Sequence, residues 1–182
     1  MATKSNRGPG AAAENRAALV AAAREVFAEQ GVEGPISTVA RRAGVGQASL
    51  YRHFPSREAL AFAVFDENLA EIESLAGRPG TELRDLIDLV THQLEGNAAV
   101  ITYFAREEDP ALRTLEDRVM AAFAPKVEQA HRDGTLAPAT TVEDVILAIG
   151  MIAALVARVP ADTRHARVEA AWALLTRGLG PA

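Results

Sequence analysis

The sequence contains no cysteine, which removes disulfide staples, thiolate metal sites and cysteine nucleophiles together. Aromatic residues are scarce, with six Phe, two Tyr and one Trp in 182 residues, so sheets rich in aromatic side chains are disfavoured. The longest apolar run, residues 145–157 (VILAIGMIAALVA), falls short of the roughly 18 to 20 residues a membrane-spanning helix needs. The opening MATKSNRGPGAAAENR lacks the continuous apolar segment of a signal peptide. A soluble, cytoplasmic protein with no membrane partner is the expectation. No glycine-rich phosphate loop or nucleophile motif occurs, and no cofactor is expected.

What is present favours helix. Nearly half of the chain, 49%, is apolar, which is enough to bury a core and argues against disorder. Ala, Leu, Glu and Arg, abundant here, lose little rotamer freedom on a helix. The expected fold class is all-α. A net charge of −5 hides an asymmetry: up to Leu60 eight basic residues face five acidic ones, giving +3 and leaving −8 for the remainder. A basic head on an acidic body suits a head that approaches phosphate.

Along the chain, Gly8, Pro9 and Gly10 predict an irregular arm over 1–11 that carries Lys4 and Arg7. Helical spacing of Leu19, Val20, Ala23, Val26 and Phe27 defines a first helix, ended by Gly31. Two short helices follow, Ile36 to Ala43 and Gln47 to about Phe54, separated by Gly44. Pro55 and the N-cap candidate Ser56 introduce a long fourth helix bearing Leu60, Val64, Leu69 and Ile72. Five more are expected: Thr81 to Glu95, Ala98 to Arg106, one opened by Asp109 and Pro110 and closed by Gly134, one from the Thr141 cap to Val159, and one over Asp162 to Gly178. About nine helices result.

The second and third helices meet the requirements of a helix-turn-helix. Gly44 supplies the turn, Ala40 permits close approach, and Val39, Val45 and Leu50 fill the wedge. Burying that face leaves Gln47, Ala48, Ser49, Arg52 and His53 on the other. Gln47 pairs well with an adenine edge, Ser49 donates or accepts, and Ala48 touches a thymine methyl. Tyr51, Arg52, His53 and Arg57 suit phosphates.

Residues 16 to 60, RAALVAAAREVFAEQG through ISTVARRAG to VGQASLYRHFPSREAL, resemble the DNA-binding domain of the tetracycline-repressor (TetR/AcrR) family of bacterial transcription regulators. The resemblance covers about a quarter of the chain, and the fixed spacing of AGV, LYRHF and SREAL carries it. It implies that Ser37, Gln47, Ala48 and Ser49 face bases of double-stranded DNA, that Tyr51, His53 and Arg57 contact the backbone, and that residues 12–72 form the DNA-binding domain and 73–182 the ligand-binding and dimerisation domain. Gly46 stands where the family often has Ser or Thr, and Arg57 replaces the commoner Lys. Glycine is an acceptable N-cap and arginine binds phosphate, so both departures are compatible with the function.

The family's dimeric, ligand-responsive character implies a homodimer and a small-molecule effector, here a lipophilic one. Residues 145–157 are apolar all round and need cover on more than one side. One stripe is Leu147, Met151 and Leu155, the other Val145, Ile149, Ile152 and Val156. Leu147, Met151, Leu155, Trp172 and Leu175 are the candidate dimer residues. His92, Tyr103, Phe104, Met120, Phe123 and Met151 are the candidate pocket residues, each with ordinary core or surface as its plain alternative. Two other function classes remain open: a helical ligand-binding dimer without operator binding, and a helical-bundle enzyme. For the latter, Glu128 and His131 form one E-x-x-H pair, but a di-metal bundle needs a second pair and further carboxylates; no metal site is expected.

Overall fold

The computed structural model describes residues 9–104 and 110–179. Among these it forms eight helices and no strand: α1 (Pro9–Gln30), α2 (Ile36–Arg42), α3 (Gln47–His53), α4 (Arg57–Ala76), α5 (Leu83–Phe104), α6 (Pro110–Arg132), α7 (Val142–Val156) and α8 (Ala161–Leu179). The all-α class is as expected, and the count is one lower because residues 83–104 form one helix where the sequence reading has two. Gly96 and Asn97 suggest a break there. Gly96 is exposed with open space around it; its propensity cost of about 1 kcal/mol is offset by burying Leu94 and Val100 on either side. α1 also starts earlier than expected, at Pro9. Proline suits a first helical position, where its missing N–H has no partner to lose.

Other boundaries follow local chemistry. Ser56 Oγ accepts the Ala59 N–H at 3.2 Å at the start of α4. Thr141 caps α7 through a reciprocal pair: its hydroxyl accepts the Asp144 N–H at 3.2 Å, and the Asp144 carboxylate accepts the Thr141 N–H at 2.8 Å. The Thr141 N–H, together with the Thr141 hydroxyl donating to the same carboxylate at 3.0 Å, holds the Asp144 carboxyl below its ordinary pKa. α7 stops at Val156, short of the expected Val159, because Pro160 disfavours helical geometry in the residue before it.

The chain divides into two compact units at Phe65 and Asp66, inside α4 and earlier than the boundary at 72 drawn from the sequence. In the first, α1 packs on α2 and α3 around Leu19, Val20, Ala23, Val26 and Phe27, with Val39, Leu50 and Leu60 also fully buried. In the second, α5 packs against α6, α7 and α8, with Leu86, Phe123, Ile152 and Val168 in its core. No described helix is long and apolar enough to cross a membrane.

Candidate nucleic-acid interface

α2 ends in a left-handed turn that only glycine adopts without strain. Gly44 has φ of +66°; its N–H donates to Arg41 O at 3.2 Å, and the Val45 N–H donates to Ala40 O at 2.9 Å. These two bonds satisfy the last carbonyls of α2 and turn the chain toward α3. Val39, Ala40, Leu50 and Phe54 are buried in the resulting wedge, and Val45 is half-buried. Phe54 ends α3, with the Arg16 guanidinium 5.3 Å above its ring.

With its wedge face buried, α3 exposes Gln47, Ala48, Tyr51 and Arg52, whereas Ser49 and His53 are half-buried. Gln47 and Tyr51 are one helical turn apart, as are Ala48 and Arg52, so each pair shares a face. His53 sits beside Phe54, ring centres 6.4 Å apart. On α2, Ser37 is exposed. The structure therefore exposes Gln47, Ala48, Tyr51 and Arg52 along α3, with Ser49 and His53 partly covered.

Two arginines are held by partners that sequence reading did not find. Arg42 binds Glu29 with two bonds, at 2.9 and 2.8 Å, and reaches Glu25 at 3.4 Å. The bond from Arg42 holds the Glu29 carboxyl below its usual range and raises Arg42 in turn. Arg57 Nη1 donates to the carbonyls of Val32 and Gly34. Nothing local signals either arrangement, because the partners lie on other segments.

In the second unit the candidate pocket residues are dispersed in exposure. Phe123 is buried, Met120 half-buried and His92 exposed, while Met151 is 47% exposed. The side chains of Tyr103 and Phe104 lie outside the described residues. Two open clefts are present. One, of about 560 Å³, is lined by Glu67, Ala70, Glu71, Ser74, Leu75, Arg78 and Leu89. The other, of about 340 Å³, is lined by Glu73, Ala76, Gly77, Arg118, Ala121, Ala122, Pro125 and Lys126. None of the described candidate pocket residues lines either. Beside the second cleft, Arg118 grips Glu73 at 2.7 and 2.8 Å and Asp66 at 2.6 Å, which lowers the Glu73 pKa.

The two stripes of α7 separate by environment. Val145, Ile152 and Val156 are buried, whereas Leu147 is 62% exposed and Met151 exposed; Ile149 and Leu155 are both half-buried. On α8, Leu175 and Trp172 are half-buried. Trp172 donates its indole N–H to Thr91 Oγ1 at 2.7 Å, a tie to α5 that sequence reading missed. Leu174, which is not among the candidate dimer residues, is 64% exposed. His131, from the E-x-x-H pair, has Nε2 2.9 Å from Thr140 O.

Residues 19–64 match the family of bacterial regulatory proteins described as the tetR family. The A-factor receptor protein of Streptomyces griseus is 41% identical over 71 residues, covering 38% of this chain. The chain spans only 25% of that relative's length. A TetR transcriptional regulator from Streptomyces coelicolor is similar in structure, with a TM-score of 0.68 and 26% identity over 92% of this chain and 99% of that one. A tetR regulator from Streptomyces fradiae shares the fold, with a TM-score of 0.64 and 22% identity over 93% and 88%. The family match falls on the segment that builds the wedge and presents α3, and the chain is similar in fold to a TetR regulator along nearly the whole of both.

Proposed function

We propose that this protein is a DNA-binding transcriptional regulator, a cytoplasmic homodimer that represses by occupying a palindromic operator and is released by a small lipophilic molecule. The observation that carries the reading is the two-sided α3: Leu50 is fully buried while Gln47, Ala48 and Arg52 stand in solvent. A short helix held by its apolar side and offering an amide, a methyl and a guanidinium suits the major groove. In this reading Gln47, Ala48 and Ser49 meet base edges with Ser37 beside them, and Tyr51, Arg52 and His53 meet the phosphates.

The exposed Leu147 and Met151 on α7 and Leu174 on α8 support dimerisation, because a second copy covers the same apolar patch symmetrically. Two recognition helices about one DNA turn apart, roughly 34 Å, then read inverted half-sites. That a relative of the chain is a receptor protein is in keeping with release by a ligand. The ligand acts by favouring the dimer that does not fit DNA, with α4, which contributes residues to both units, as the coupling element. Selection of bound sites from random duplex DNA tests the proposal. Enrichment of inverted repeats with half-site centres about 34 Å apart is expected; the absence of any enriched sequence overturns it.

A further inference from the structure

The described arginines of the first unit are Arg16, Arg24, Arg41, Arg42, Arg52 and Arg57, and they do not have the same freedom. Arg16 lies over Phe54, Arg24 is half-buried, and Arg42 is chelated by Glu29 and Glu25. Arg57 is half-buried, with Nη1 bound to two carbonyls. Arg41 and Arg52 are exposed, with no carboxylate or carbonyl bound to them among the described residues. Arg41 is one helical turn after Ser37 on α2, and Arg52 one turn after Ala48 on α3, so each guanidinium extends a face that the proposed function assigns to DNA.

We infer that Arg41 and Arg52 supply the phosphate-contacting charge, and that Arg57 is a positioning residue that holds the segment leading into α2. The inference rests on the DNA-binding reading and changes the part that Arg57 plays in it. The segment bound by Arg57 is tightly folded. The Gly34 N–H donates to Gly31 O at 3.1 Å, and a Cβ at Gly34 would lie 3.0 Å from the Gln30 Cβ. It runs directly into Pro35, the N-cap of α2, and so sets where Ser37 and Arg41 start. Phosphate binding by Arg57 through Nη1 requires giving up both carbonyls, one on the buried Val32 and one on the half-buried Gly34, and a buried acceptor left unmet is costly. Arg41 and Arg52 give up nothing but water.

Counterion release distinguishes the roles, since each phosphate contact contributes about 0.9 to the slope of log affinity against log salt. The probes are a random-sequence duplex and a site recovered by selection, with full-length protein. Arg41→Ala and Arg52→Ala are each expected to reduce that slope by about 0.9 per protomer on both duplexes. Arg57→Ala is expected to leave the slope unchanged while cutting the preference for the selected site roughly tenfold, the scale of a mismatched base pair, at a temperature well below its own unfolding. Arg57→Lys keeps the charge but replaces the planar fork with a compact ammonium. It is expected to keep the slope and still lose preference, and it carries the test if the alanine variant fails to fold. A slope lowered by Arg57→Ala, recovery of preference in Arg57→Lys, or unchanged slopes in Arg41→Ala and Arg52→Ala overturn the inference while DNA binding stands. Absence of salt-dependent binding by the unaltered protein overturns the DNA-binding reading and the inference with it.

Discussion

Replacing Leu50 with alanine deletes the side chain that fixes α3 to the rest of its unit. Leu50 has no exposed surface, and the neighbouring wedge residues Val39, Ala40 and Phe54 are exposed by 3% or less. Leucine-to-alanine changes in such sites cost the transfer energy of the lost methylenes plus a cavity term, together about 2 to 5 kcal/mol. The upper part of that range, about 3 to 5 kcal/mol, applies where close packing prevents collapse. The effect on α3 should exceed its effect on the other helices. α3 spans seven residues and its Gly46 N-cap offers no side-chain bond, and isolated helices below about 12 residues are marginal in water. Urea unfolding followed by circular dichroism measures the loss, and hydrogen exchange of the 47–53 amides locates it. A loss below about 1 kcal/mol with unchanged exchange at 47–53 refutes the assignment of Leu50 as the anchor.

Gly44→Ala places a Cβ at φ of +66° with open space around it, so the cost is that of the backbone alone, about 1 to 2 kcal/mol; a neutral effect in thermal unfolding contradicts the geometry. Thr141→Ala removes the acceptor of the Asp144 N–H and should cost about 1 kcal/mol, which Thr141→Ser should largely restore in the same assay. Glu73 titrates lower in the folded protein than its ordinary value because Arg118 donates to it. Its contribution is fully present above the unfolded pKa of about 4.3 and is lost as pH falls through the lower folded value. Arg118→Leu should therefore be less stable near neutrality and lose less stability on acidification across that window; parallel pH profiles for the two proteins sink this account.

The helix-turn-helix was legible because its determinants are local. Gly44 is needed by a backbone angle, Val39 and Leu50 reveal their face by spacing, and Ser56 and Thr141 cap the residues just after them. The misplaced boundaries have equally specific causes. Gly96 and Asn97 argue for a break by propensity, but the burial of Leu94 and Val100 carries α5 across them. The charged partners were hidden for another reason: Arg42 reaches carboxylates 13 and 17 residues away, and Arg118 reaches ones 45 and 52 away. Such pairings depend on how helices pack, which charge composition does not encode. The uniform apolarity of residues 145–157 likewise conceals that Val145, Ile152 and Val156 are buried within the unit while Leu147 and Met151 are exposed.

The division of α3 into buried and exposed positions bears on how such a protein diversifies. Leu50 and Phe54 are tied to stability, and changes there are paid in kilocalories. Gln47, Ala48 and Arg52 are in solvent, where substitutions usually shift stability by no more than about 0.5 kcal/mol. Under the proposed function, a lineage can alter what this surface recognises one residue at a time without weakening the scaffold beneath it. The heritable unit is then the whole wedge of α1, α2 and α3, and the exposed positions are its variable text.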